Sequence, residues 1–172
     1  MNQIQEILNH LKNVALSDDD LLKLMDGKAN VVVYRNLSQY STVNDLLYPY
    51  GVCFILYEWK PHYGHWCCLI RHNNLLEAFD PYGLYPDDYL KLIPEPFRSE
   101  SNQVVPALTN LLLEGDYELS YNEFQFQKRS SRVKDCGRWC VVRALLKEMD
   151  LEQFRDLFLN KNGDDLVTFL TS

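Results

Sequence analysis

The 172-residue sequence predicts an α+β domain: a central, mostly antiparallel sheet packed against a cysteine-bearing helix, with further helices at both ends of the chain. Three observations carry that expectation. The β-rich runs GVCFILYEW at 51–59, HWCCLIRH at 65–72 and NLLEAFD at 74–80 follow one another closely, the last two joined by a polar HNN turn, as in hairpin-linked strands. Apolar residues recur at helical spacing towards both termini. Neither an internal repeat nor a low-complexity stretch interrupts residues 1–172, and 47% hydrophobic with 13% aromatic content is enough for one substantial core.

Ile4, Ile7, Leu8, Leu11 and Val14 mark a helix over residues 2–14, and Ser17 with Asp20 forms a capping-box pattern ahead of a second, short helix. After the turn-like DGKAN at 26–30, VVVYRNL has the β-branched character of a strand, and STVNDLLYPYG reads as a capped short helix followed by a break. Beyond the three central strands come PYGLYPDD, a helix at 87–93, an apolar segment at 104–113, a strand at 117–126 and the polar loop KRSSRVKD. A longer helix then runs from Gly137 to about Glu148, burying Trp139, Val142, Leu145, Leu146 and Met149 on one face. Helices at 151–159 and 164–171 close the chain.

The formal charge is −7, from 17 basic and 24 acidic residues, so the molecule as a whole is a poor partner for nucleic acid or an anionic membrane. The five cysteines include an adjacent pair, Cys67 and Cys68, and do not form the even, spaced framework of a secreted scaffold; a reducing, intracellular compartment is expected. No apolar run approaches the ~20 residues that span a bilayer, and the N-terminus has no signal-peptide core.

The stretch KDCGRWC, Lys134 to Cys140, puts Cys136 in the first turn of the long helix. A thiol is only a small fraction thiolate at neutral pH, yet the thiolate is the nucleophile. The unpaired N–H groups of a helix N-terminus and a neighbouring imidazolium both favour the anion, and lowering a thiol pKa by about 2 units is worth about 2.7 kcal/mol. Lys128, Arg129, Arg132, Lys134, Arg138 and Arg143 surround the thiol in sequence, with Asp135 the single acid in the window 128–143. They read either as an activating field or as solvated loop charges.

His65, at the start of an apolar strand, is the best base, whereas His62 lies in a turn, His72 at a hairpin tip and His10 on the first helix. Asp80, ending the paired strand, is placed to orient the imidazole, with Glu77 as the fallback. Gln127 is chosen as the side-chain amide donor to a tetrahedral oxyanion and Gln125 is the runner-up; the Cys136 N–H supplies a second donor. Trp66 and Trp139 read as core aromatics, Trp66 shielding the histidine from water, and Cys140 as a core thiol. A zinc site around His62, His65, Cys67 and Cys68 is disfavoured because neighbouring strand residues face opposite ways and no C-x-x-C pair completes it; no metal and no cofactor are expected.

HW at 65–66, FDPYG at 79–83, Gln127 and DCGRWC at 135–140 resemble the adenovirus protease family, with homologues in large DNA viruses, virophages and virus-like transposons. More distantly they resemble proteases of SUMO and other ubiquitin-like modifiers. The resemblance covers about residues 50–150 and implies a papain-like, adenain-like cysteine protease fold. It makes Cys136 the nucleophile, opening a Cys-Gly-x-x-Cys step with Gly137, and His65, Asp80 and Gln127 its partners. The interval from Gln127 to Cys136 is a few residues longer than the family's, so Gln125 and Gln127 stay open. The implied activity is cleavage of viral structural precursors after small or Gly-rich sites, by a monomer in the host cytoplasm or virus factory or packaged in the virion. Removal of a ubiquitin-like modifier and a silent binding module are the alternatives; a module of that kind predicts a missing catalytic residue, and none is missing. The compact length, without an added N-terminal recognition segment, leans towards the viral reading. Adenovirus protease is activated by DNA and a disulfide-linked peptide; neither is carried over, although the cationic loop at 128–143 leaves a local DNA site open.

Overall fold

The computed structural model describes residues 2–172. In chain order the elements are α1 (Gln3–Lys12), α2 (Asp18–Leu24), β1 (Asn30–Val33), a 3-10 turn (Tyr34–Gln39), α3 (Val43–Leu47), β2 (Val52–Lys60), β3 (Tyr63–His72) and β4 (Leu75–Phe79). A second 3-10 turn (Asp88–Leu92), α4 (Phe97–Glu100), α5 (Ala107–Glu114), β5 (Glu118–Tyr121), α6 (Cys136–Leu145), α7 (Leu151–Asp156) and α8 (Gly163–Leu170) complete the chain. The architecture is mixed α+β around a five-stranded sheet of order β1-β2-β3-β4-β5.

The sheet is antiparallel only at its centre. β2 pairs with β3 and β3 with β4 in antiparallel fashion, whereas the edge strands β1 and β5 run parallel to their neighbours. The alternation of side chains along the strands splits the core in two. Phe54, Leu56, Trp66, Cys68, Ile70 and Phe79 face α2 and α6–α8. Cys53, Ile55, Tyr57, Cys67, Leu69 and Leu76 face α3, α5 and the 3-10 turns. Helices from the two ends of the sequence thus cover one face, and the segments between strands cover the other.

Several elements differ from their sequence patterns. The VVVYRNL strand stops at Val33, because Tyr34 turns inward: its hydroxyl donates to Asp87 at 2.5 Å and accepts from the Ala107 N–H at 2.9 Å. The 87–93 helix is a 3-10 turn entered through Asp87 in the left-handed region (φ 70°). The 117–126 strand ends at Tyr121, where Asn122 leaves the ladder to bond the backbone of Asp80. α6 is buried all round from Cys136 to Ala144 and ends at Leu145, which is 58% exposed rather than facing the core. A helix enclosed on every side carries no one-sided stripe to read. On α1, Ile4 and Ile7 are exposed and Leu8 and Leu11 half-buried, while Lys12 pairs with Asp165 at 2.5 Å.

α6 is fixed against the sheet by a buried bidentate pair. Arg143 donates to both carboxylate oxygens of Glu77 at 2.8 Å, and also caps the end of its own helix through the carbonyls of Leu146 (3.0 Å) and Met149 (2.9 Å). Two charges removed from water are tolerable here because each has several charge-assisted partners. No helix among the described residues is long and apolar enough to cross a membrane.

Candidate active site

β3, β4 and α6 bring Cys136, His65 and Asp80 together. His65 stands opposite Tyr57 in the β2–β3 register, and Phe79 stands opposite Cys68, so Asp80 follows β4 on the same face as His65. The imidazole Nε2 lies 2.9 Å from Asp80 Oδ1. That oxygen also accepts the Tyr82 N–H at 2.8 Å, and the Asp80 backbone is clamped by Asn122, whose Oδ1 accepts the Asp80 N–H at 2.8 Å and whose amide donates to the Asp80 carbonyl at 2.5 Å. Glu77 is three residues earlier and therefore on the other face, committed to Arg143; this removes the fallback orienting acid.

Cys136 opens α6, where the first N–H groups have no carbonyl one turn back. Its sulfur accepts the Trp66 backbone N–H at 3.4 Å. His65 is 2% exposed. Burial pulls the imidazole pKa down, but the Asp80 carboxylate, the hydrogen bond to it and the Cys136 sulfur together outweigh burial and push it up to about 10. The ring is therefore cationic at neutral pH, beside the sulfur.

Two tyrosines hold that ring in a sandwich. Tyr82 stacks on it with centroids 4.6 Å apart and planes 3° off parallel, and Tyr89 stacks on the opposite side at 4.4 Å and 20°. The expected shield, Trp66, is instead on the far side of the sheet: its indole packs among Leu56, Cys68 and Trp139, and its Nε1 donates to the Leu16 carbonyl at 3.0 Å. Strand alternation sends residues 65 and 66 to opposite faces, so the residue next to the histidine cannot cover it. Gly137 lets this indole approach α6, since a Cβ there would lie 3.2 Å from both Trp66 Cδ1 and Leu21 Cδ2.

Cys136, His65 and Gln127 share the lining of a cleft of ≈ 440 Å³, whose walls include Ala15, Trp59 and Tyr63. Gln127 is buried, its amide nitrogen 3.1 Å from the Val133 carbonyl. Gln125 is exposed, lies outside the cleft lining and donates to the Gln127 carbonyl at 2.7 Å. The two glutamines touch, but only Gln127 lines the cleft. The Phe126 and Gln127 N–H groups both bond the Pro81 carbonyl at 2.9 Å, which ties this segment to the FDPYG turn. At Gly83 (φ 72°) a Cβ would meet the Phe124 backbone at 2.7 Å, so this turn closes only with glycine.

His62 is exposed at the β2–β3 turn, His72 ends β3 and His10 lies exposed on α1. Cys140 is fully buried, its thiol 3.6 Å from the Trp66 carbonyl. All five cysteines are free thiols. No group of three His, Cys, Asp or Glu side chains able to hold a metal occurs among the described residues. Asn122, Tyr82 and Tyr89 escape a sequence reading because their partners are set by tertiary contact; of the three only Tyr82 falls inside a motif, as the aromatic of FDPYG.

A buried thiol, a cationic imidazole and a carboxylate brought together, the first two lining one cleft, form a cysteine-histidine-aspartate constellation. The chain is 47% identical over 171 residues, covering 95% of this chain and 98% of the relative, to the protein named Uncharacterized protein V9 of Sputnik virophage. It belongs to the same family as that virophage protein. No family model matches the chain. Among solved structures, ChlaDub1 from Chlamydia trachomatis is similar over 99% of this chain and 76% of that one, at 15% identity and a TM-score of 0.34.

Proposed function

We propose that the protein is a cysteine endopeptidase, and that it processes viral structural precursors at small or Gly-rich sites. The observation that carries the reading is the grouping of Cys136, His65 and Asp80, with Cys136 and His65 both lining one cleft. The resemblance to the adenovirus protease family and the kinship with a virophage protein support the viral setting.

In this reading the Cys136 thiolate attacks the scissile carbonyl, forming a C–S bond while the carbonyl π electrons move to oxygen. The oxyanion takes hydrogen bonds from the Cys136 N–H and from the Gln127 amide once that amide leaves Val133; each such donor is worth about 10²- to 10³-fold in rate. Collapse breaks the C–N bond, and His65 gives its proton to the leaving amine. Water, deprotonated by His65, then attacks the thioester; the C–S bond breaks, the acid product leaves and the thiolate–imidazolium pair is restored. Asp80 fixes the ring through Nε2 and favours its charged form; the other ring nitrogen is left for the thiol and the leaving group.

A Gly-Gly vinyl-sulfone probe tests this directly. Labelling is expected on Cys136, with loss in Cys136→Ala and retention in Cys140→Ala; labelling of Cys140 instead, or of neither, overturns the nucleophile assignment. Turnover of short Gly-Gly peptides and capsid precursors is expected, and efficient cleavage only of folded ubiquitin-like fusions would replace precursor processing by modifier removal.

A further inference from the structure

The cleft is positively charged in a negatively charged molecule. The net charge is −7, yet none of the residues lining the cleft is Asp or Glu, while Arg129 and Lys134 both line it. Lys60 reaches the same rim, its Nζ 4.5 Å from the Tyr63 ring centroid, and Lys134 Nζ approaches that ring at 5.6 Å. Arg129 lies over Tyr82 at 5.3 Å, its guanidinium donating to the Tyr82 carbonyl at 3.4 Å. Among the described residues no carboxylate comes within 4.0 Å of Lys60, Arg129 or Lys134, although acidic side chains outnumber basic ones 24 to 17.

These cations are held in place by aromatic faces and backbone instead of by acids. The Lys134 N–H bonds the Lys12 carbonyl at 2.8 Å, so the end of the loop is pinned beside the nucleophile. An aromatic face holds a cation without neutralising it, leaving its charge for an incoming anion. The cleft is too small for a nucleic-acid duplex, and the acidic remainder of the surface repels a polyanion while tolerating a single carboxylate in the cleft.

We propose that Arg129 and Lys134 are specificity residues that bind an acidic side chain of the polypeptide substrate within a few positions of the scissile bond. This rests on the endopeptidase reading above and adds to it a substrate class: acidic segments flanking the small-residue site. Charges at a cleft rim act mainly on productive encounter and register, so the preference falls in kcat/KM and weakens with salt.

The test is a set of internally quenched Gly-Gly peptides in pairs that differ only by Glu or Gln at one flanking position. For at least one position the Glu peptide is expected to exceed its Gln twin about fivefold in kcat/KM at low ionic strength, an effect the size of one rim charge pair. Arg129→Gln with Lys134→Gln is expected to bring that ratio to one, and Arg129→Glu with Lys134→Glu to invert it; a ratio within one protein is insensitive to how much of it is folded. Equal rates for every pair in the unmodified protein overturn the proposal, as does a ratio that survives in the variants. Stimulation by duplex DNA that vanishes in the Gln variants also overturns it, assigning the cations to a polyanion. If peptides are cleaved without charge preference, only this proposal falls; if nothing is cleaved and Cys136 takes no probe, the endopeptidase reading falls and takes it along.

Discussion

Asp80 is held by its backbone as firmly as by its carboxylate, and that fixes what its replacement does. Asp80→Asn keeps the Asn122 clamp and the volume, and removes only the charge that raises the His65 pKa. The variant is expected to fold normally, to lose about 10²- to 10⁴-fold in kcat, and to show the alkaline limb of its pH–rate profile moved down from near pH 10 towards neutrality. An unmoved limb in a folded variant would detach the carboxylate from the imidazole's charge. At this scale the juxtaposition of Cys136, His65 and Asp80 was legible, from a helix start and two paired strands. The sequence was misleading where one residue's neighbour was assigned by proximity. Trp66 adjoins His65 in the chain yet lies across the sheet from its ring, and the aromatic cover comes from Tyr82 and Tyr89, whose positions depend on a loop no periodicity describes.

Among elements, α6 depends on its buried pair with β4. Glu77→Ala leaves Arg143 charged and short of its main partner inside the protein and is expected to cost about 3–5 kcal/mol in urea unfolding, whereas Glu77→Leu with Arg143→Met should cost far less. Equal losses in the two would show that helix capping by Arg143, not the ion pair, is the larger contribution. The elements legible in sequence are those with local signals. The capping boxes at Ser17 and Asp20 and at Thr42 and Asp45 form as their spacing requires. The parallel edges of the sheet were not legible, because pairing β4 with β5 brings together residues about forty positions apart with no turn to announce it. The length of β5 was overread for a related reason: its continuation, Asn122, has a tertiary task at Asp80.

For the whole molecule, the His65 imidazole links stability to pH. His65 has its pKa raised from 6.5 to about 10 on folding. The stabilisation this represents is present in full below about pH 6.5 and is lost as pH rises through about 10. Urea unfolding at pH 6, 8 and 10 is expected to show stability falling over that range more steeply in the unmodified protein than in His65→Gln; parallel curves would mean that the ring is not cationic in the folded state. Composition gives a net charge of −7 and enough apolar residues for a substantial core. It could not reveal that unpaired positive charge collects in the cleft, because net charge contains no positions.

The three tryptophans divide by environment: Trp66 and Trp139 are 4% and 0% exposed, while Trp59 is 45% exposed and stands in the cleft wall. The protein therefore carries its own optical gauge of occupancy. A peptide entering the cleft of Cys136→Ala should dry the Trp59 indole and move the emission to shorter wavelength while the two core indoles stay silent, and Trp59→Phe should erase the change. Binding can then be followed by light alone, without turnover and without a label.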